Sequence, residues 1–433
     1  MIRRLLSAVP LLLVLGHAAG AQDSTRIKLA LTYVNGAQPG LVVFAGPGLD
    51  SVRRIVERDL KYSDRFTVEE IPDSMARLNG TALDPQLFQQ FGLAYVVELE
   101  PAPGGADVKL YDVATAKVLQ EGVRQMDVRG VGDARLTIHK VSDELVNWAT
   151  GGIGIAATRV AFLREVNGDN GIWRVDADGA NMVRVTAPGG RMLHPAWSPD
   201  GTSIAYSEFA DGRWSLYVMR LLNHTRVRVP TATSGNAESP SFSPDGKQLA
   251  FASDAGSYTD IGVVDMVQMC CAHLLMNKLA LSTHPTYSPD GRRIAFESDR
   301  TGISQIWVMD NDGASSEQLV PAEPGPTGSL AESHAPEWSP DNTMIAFARE
   351  AASGRQVFTY TIGSQRVVQR TNQSTNEDPS WAPDSRHIVV KSRRSGPEQL
   401  WIVDLVSGNW RALVAAPGVT ARFPAWSRSL SNP

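Results

Sequence analysis

Cysteine is nearly absent from this 433-residue sequence: there are two, Cys270 and Cys271, and they are adjacent. Such a pair staples no distant segments, because neighbouring Cα atoms lie closer than ordinary disulfide geometry allows. Stability must come from a packed core, and the pair is expected to be two small strand residues facing opposite sides. Basic runs are missing as well. With 41 Lys and Arg against 46 Asp and Glu, the chain offers no electrostatic footprint for nucleic acid or an anionic membrane surface. No G-x-S-x-G, zinc-helix or phosphate-loop motif occurs. "GPGLDS" at 46–51 follows a strand and opens a helix, but it holds a Pro and lacks the third Gly of a dinucleotide loop. It reads as a turn and a cap.

Long hydrophobic runs are absent too. The apolar stretch from Leu5 to Leu15 is broken by Pro10 and is too short to span a bilayer. Arg3 and Arg4 precede it and Ala19-Gly20-Ala21 follows it, so residues 1–21 read as a signal peptide cleaved after Ala21. No cysteine stands near that site, which argues against a lipid anchor, and Arg3-Arg4 alone is too little for twin-arginine export. A mature chain beginning at Gln22 would lose two positive charges, moving the formal net charge from −5 to −7. It is expected to lie in the periplasm, without membrane insertion, and to be a monomer.

The remainder divides by its grammar. Residues 22–155 contain no repeat. "RIKLALTY" alternates like a half-buried strand, and "GLVVFAG" reads as a short buried one. Asp50 or Ser51 is placed to cap a helix carrying Val52, Ile55, Val56 and Leu60 on one face. Asp84-Pro85 opens a second helix that Gly92 closes. Asp133 starts a last helix, with Ala134, Ile138, Val141, Leu145 and Trp148 inward and Gly151-Gly152 as its stop. "AYVVELE", "DVKLYDV" and "AKVLQEG" complete the strands of an α/β N-terminal domain.

From residue 156 to 433 repetition takes over. Trp197, Phe242, Tyr287, Trp338, Trp381 and Trp426 recur at intervals of 45, 45, 51, 43 and 45 residues, the period of a four-stranded propeller blade. "RVAFL", "SIAYSEF", "QLAFASD", "RIAFESD", "MIAFARE" and "HIVVKSR" give one strand six times. "GIWRVDADG" through "QLWIVDL" give the next strand six times. The series starts one strand late, at "RVAFL", and ends one strand over, at "FPAWS". The strand Phe423–Ser427 is therefore expected to complete the first blade and close the ring. The fold predicted is an α/β N-terminal domain followed by an all-β six-bladed β-propeller.

The aromatic is followed by Ser-Pro-Asp-Gly in three copies, a hairpin turn in which Pro presets φ and Gly supplies the left-handed residue. Asn342 and Ser385 replace the Gly in two others. Ser427-Arg428-Ser429 makes no turn, because the chain is about to end. The Ser and Asp of the motif are read as structural rather than catalytic.

These features resemble the TolB family, the periplasmic component of the Tol–Pal system of Gram-negative bacteria. The resemblance is carried by the signal peptide, "DSVRRIVERDLKYSDRF", "LYDVATAKVL", the junction "TRVAFL" and the six repeats. It implies a non-enzymatic binding protein supporting outer-membrane integrity and envelope constriction during cell division. The lipoprotein Pal would dock at the propeller mouth. TolA would engage the N-terminal segment Gln22, Asp23, Ser24, Thr25 and Arg26, and other envelope proteins are further partners. The family's Pal contacts cluster just before the Pro that opens an inner strand. Here those positions include Asn236, where family members can carry His, with Glu238, Ser239, Thr283 and His284. Corresponding positions elsewhere are His194, His334, Glu377 and Arg422.

Other readings are weaker. His194, His284 and His334 open inner strands of three blades and could face one channel, but no local spacing supports zinc, and neither metal nor cofactor is expected. Prolyl-oligopeptidase-type peptidases carry similar propellers beside a hydrolase domain, for which this chain offers no nucleophile motif. A stand-alone propeller binding glycans or small molecules is the other alternative.

Overall fold

The computed structural model describes residues 38–72, 83–129, 132–254, 256–275 and 280–430. The signal peptide expected at residues 1–21, the segment Gln22–Arg26 and the strand expected at 26–33 lie outside them. Gln38–Pro433 forms one compact unit.

Its first part is a mixed sheet of β1 (Gly40–Ala45), β2 (Thr67–Glu69), β3 (Leu93–Ala102), β4 (Gly105–Asp112) and β5 (Lys117–Gln125), in the order β2-β1-β3-β4-β5. β1 runs parallel to β2 and β3, while β3, β4 and β5 pair antiparallel. The run "LVVF" is buried on both faces, which is why it lacks polar alternation. Leu41 and Val43 pack under α1 (Asp50–Tyr62) and α2 (Arg135–Thr150), against Val52, Val56, Leu60, Ile138, Val141 and Leu145. Val42 and Phe44 pack on the other face against Phe88 of a 3₁₀ helix, Pro85–Phe91. Asp84 Oδ1 accepts the Gln86 N–H (3.0 Å) and Gly92 ends the turn with φ 72°, so the expected caps form around 3₁₀ rather than α geometry.

Two helix starts differ from expectation. α1 begins at Asp50 itself, with Leu49 in the cap position and no side-chain cap; Asp50 instead lies in the first turn, where a carboxylate suits the positive helix end. α2 begins two residues later than expected, because Gly132–Ala134 forms a 3₁₀ turn before it. Trp148 is only partly buried, under the Arg124 guanidinium (5.2 Å).

Six four-stranded sheets follow, their inner strands being Thr420–Trp426, Met192–Trp197, Ala237–Phe242, Ser282–Tyr287, Ser333–Trp338 and Asn376–Trp381 in blades one to six. Blade one joins the last strand to Arg159–Val166, with Trp426 opposite Val160 and Arg422 opposite Leu163. The ring is closed by the strand that the repeat phase predicts.

Each turn after an inner strand is held by a side-chain bracket. Ser198, Ser243, Ser288 and Ser339 Oγ each accept the N–H of the residue five positions on, at 2.9 Å. Ala382 has no hydroxyl, and Asp384 Oδ1 takes over by accepting the Arg386 and His387 N–H groups at 3.0 Å. At Ser427 no turn follows, as expected. Its Oγ accepts the Arg159 N–H at 2.9 Å, while its own N–H donates to Arg159 O at 2.8 Å. The bracket thus survives where no turn exists, bonding the two ends of the repeat series across blade one.

The α/β layer sits at this turn end, against blades one and six. Asp64 is the hub there. His387 Nε2 lies 3.2 Å from its Oδ2, Asn409 Nδ2 donates to its Oδ1 (2.7 Å) and Arg386 Nη2 to its backbone O (2.7 Å). Arg58 of α1 and Arg135 of α2 both pair with Asp178, and Arg411 crosses the Tyr62 ring (4.5 Å) to donate to Ala177 O (2.7 Å).

The cysteine pair overturns its expectation. Cys270 and Cys271 are bonded to each other. Alternating strand geometry would point them apart, but Cys271 adopts φ 63° in a bulge, which turns the second side chain back.

Candidate functional site

The opposite end of the inner strands is built from one dipeptide. In every blade the proline expected to open the inner strand lies inside it, and is preceded by a residue in the left-handed region: His194, Ser239, His284, Ala335, Asp378 and Phe423, with φ between 49° and 53°. Non-glycine residues pay roughly 1–2 kcal/mol each for this conformation. The ladder explains why they hold it. In blade one Arg422 faces Leu163 and Ala425 faces Ala161, so Phe423 and Pro424 share one partner position, and the register slips at the same place in the other five. Proline has no N–H to give the ladder and therefore sits in the bulge. The bulge tips six side chains toward the axis.

They ring a cavity of about 260 Å³, followed inward by the six prolines and by Ala196, Ser241, Thr286, Glu337, Ser380 and Ala425. Rim chemistry is uneven around the circle. His194 packs edge-on against the His284 ring (centroids 5.2 Å apart) and against Phe423 (4.3 Å). Its Nδ1 is 3.3 Å from Ser239 Oγ. Burial, then the neighbouring charges of His284 and Lys391, hold this imidazole well below its ordinary pKa, so it is neutral. His284 differs. Burial alone would lower its pKa, but Glu297 outweighs this and raises it.

Glu297 is the organising carboxylate. It lies 3.4 Å from His284 Nδ1 and 2.9 Å from His334 Nδ1, and also accepts the Ala335 N–H (3.2 Å). Burial opposes its charge, yet the two imidazoles hold its carboxyl below the usual range. Across the mouth, Lys391 Nζ reaches Glu377 (2.8 Å) and Asp378 (3.3 Å), with Arg355 on Glu377 (3.0 Å). Deeper in, Glu337 lines the channel and is only partly exposed. Burial pushes its carboxyl up to about 8, against the opposing bonds from the Trp381 N–H (3.2 Å) and Ser380 Oγ (3.0 Å). A neutral acid in the throat can donate a hydrogen bond.

Of the residues singled out from sequence, His194, Ser239 and His284 line the cavity. Glu238, Thr283, His334, Glu377 and Arg422 occupy the position just before them in blades three, four, five, six and one, forming an outer ring. Glu238 is half-buried, and burial followed by the charge of Asp254 raises its pKa. Thr283 Oγ1 lies 3.1 Å from His284 Nδ1, and Arg422 pairs with Glu398. Asn236 bridges two blades: its Oδ1 accepts the Trp214 N–H of blade two (2.9 Å) and its Nδ2 donates to Asp254 of blade three (2.8 Å). Sequence reading passed over Ala335, Asp378, Phe423, Glu297 and Glu337. The first three were findable as the residue before each repeated proline. Glu337 was findable in the same way, as the one acid among the residues that follow each repeated proline, whereas Glu297 carries no such signal.

Ser239 beside His194 is a hydroxyl–imidazole pair, and the nearby carboxylate of Glu297 is bound to His284 and His334; among the described residues no carboxylate is bonded to His194 in the way a triad uses. Among the described residues two carboxylate–histidine groups have spacing suited to a cation: Asp59, His139 and Asp178, and Asp64, His387 and Asp404. Both lie at the turn end, where Arg58 and Arg135 pair with Asp178 and Arg386 pairs with Asp404. Those guanidiniums already supply the positive charge that a metal would bring.

The fold and cavity define a closed six-bladed propeller with an α/β layer on its turn end and a polar, concave rim at the other. Comparison with known proteins narrows this class. The profile of the TolB beta propeller domain matches residues 146–430, and the chain belongs to that family. The crystal structure of TolB from Acinetobacter baumannii superimposes with a TM-score of 0.78 at 26% identity, covering 90% of this chain and 97% of that one. Among curated relatives, Tol-Pal system protein TolB of Haemophilus influenzae is 29% identical over 237 residues, 52% of this chain and 55% of the relative. That of Methylococcus capsulatus is 34% identical over 214 residues, 46% and 49% respectively. The chain thus spans about half the length of the curated relatives it matches.

Proposed function

We propose that this chain is a non-enzymatic periplasmic binding protein of the Tol–Pal system. Its rim binds the lipoprotein Pal, its segment Gln22–Arg26 engages TolA, and through both it supports outer-membrane integrity and constriction during division. The observation that carries the reading is the bulged rim. Six strained backbone positions present His194, His284, Asp378 and Phe423 around a concave opening, and backbone strain of this kind concentrates at functional sites. A partner loop entering it would meet a neutral imidazole and an aromatic ring on one side and a Lys391–Asp378 pair on the other. Glu238, Ser239, Thr283, His284, His334, Glu377 and Arg422 would set specificity. Asn236 would join them, held in place by its bonds to Trp214 and Asp254 across two blades.

Capture from an envelope extract tests the proposal. Tagged protein should retain Pal and TolA, and deletion of Gln22–Arg26 should weaken TolA capture while leaving Pal capture and the melting temperature intact. Retention of neither partner by the full chain would remove it from the system.

A further inference from the structure

The bonded pair Cys270–Cys271 opens the outermost strand of blade three, Cys270–Leu274, far from the rim in the repeat and from the closing strand. A bond between neighbours closes no loop, so it adds almost nothing through chain entropy. Its Cα atoms stand 3.8 Å apart, below the usual 4.4–6.8 Å of disulfides, and bonds forced outside that range are more easily reduced. The backbone carries matching strain. Cys271 has φ 63° and Met269 φ 53°, and the ladder slips so that Cys270 faces Asp265 and His273 faces Val263, leaving Cys271 and Ala272 opposite Val264 alone. Cys271 and His273 are both exposed, and His273 Nδ1 lies 3.1 Å from Cys271 O.

We propose that Cys270–Cys271 is a reversible redox-modification site whose reaction partner is a dithiol, either a small molecule or the paired cysteines of a disulfide oxidoreductase. A thiolate of the dithiol attacks the exposed Cys271 Sγ. The Sγ–Sγ bond breaks, and Cys270 leaves as a thiolate that takes a proton from water. The second thiolate of the reagent then displaces Cys271 Sγ from the mixed disulfide, and that sulfur is protonated in turn. Two electrons and two protons end on the protein, and the reagent ends as its own disulfide. Reduction frees Cys271 from its left-handed conformation and lets the outer strand take regular pairing. It also leaves two adjacent thiols, a chelating ligand for thiophilic atoms such as trivalent arsenic.

Differential alkylation of the folded full-length chain decides this. The air-oxidised protein should take no maleimide, and its 270–271 peptide should be two hydrogens lighter than the dithiol form. Under native conditions, millimolar dithiothreitol should yield two adducts on that peptide, with the melting temperature little changed. Phenylarsine oxide should bind the reduced chain one to one and should not bind Cys271→Ser. Thiols that label without reductant would overturn the proposal. So would a pair that resists dithiothreitol until the protein unfolds, or a bond found between two chains.

Discussion

At the end of each inner strand a serine or aspartate closes a bracket onto the next strand, and the α/β layer docks on the resulting surface. At the start of the same strands a left-handed residue and a proline break the ladder and tip a side chain over the cavity. One repeat unit therefore builds two unlike surfaces. At the turn end the polar groups are spent on one another. At the rim the backbone carries strain, a histidine is held neutral, and Glu297 is shared between two blades. The difference teaches where each kind of substitution should be felt. Turn-end changes should register in stability and rim changes in binding.

The largest stability effect belongs to ring closure. Truncation before Arg422 removes Trp426, whose Nε1 donates to Thr158 Oγ1 (2.7 Å), along with all but the first two residues of the inner strand of blade one. The unfolding temperature should drop by on the order of 10 °C or more. Equal melting of the truncated and intact chains would show that this strand does not close the ring.

Ser427→Ala is the subtler version. It strands a buried Arg159 N–H, which costs about 1–3 kcal/mol. Urea denaturation should show that loss with an unchanged slope, and Ser198→Ala in blade two should match it. If only Ser198→Ala destabilises, the bracket across blade one is ornamental.

The smallest effect is pH-dependent. Burial opposes the charge of His387, but Asp384 and Asp64 outweigh it and raise the imidazole above its ordinary value. Its contribution is therefore fully present below the unfolded histidine pKa, about 6.5, and is lost as pH rises through the higher folded value. His387→Gln should flatten the alkaline limb of a plot of urea midpoint against pH. An unaltered limb would show that the Asp64 hub does not couple the layer to blade six.

The blade count, the phase and the closing strand were legible because aromatic spacing and six copies of each strand leave one consistent ring. The bulges were written in the sequence as repeated prolines, but a proline alone does not reveal that the residue before it turns left-handed. Glu297 was not legible. It becomes important only when His284 and His334 of adjacent blades converge on it. The same holds for Asp64, whose partners Arg386 and Asn409 lie 322 and 345 residues away. The cysteine pair misled because alternation is a rule of regular strands, and Cys271 stands in a bulge.

The central claim is that the rim binds and the turn end holds. Calorimetric titration with Pal, run beside melting curves on Thr283→Arg/His284→Asn and on Ser427→Ala, tests it most directly. Asparagine tolerates the left-handed backbone of position 284. The rim variant should bind at least tenfold more weakly, about 1.4 kcal/mol, and melt with the unmodified chain. Ser427→Ala should melt earlier and, while folded, bind as before. Unchanged affinity in a folded rim variant would contradict the account and move the site off this end of the propeller.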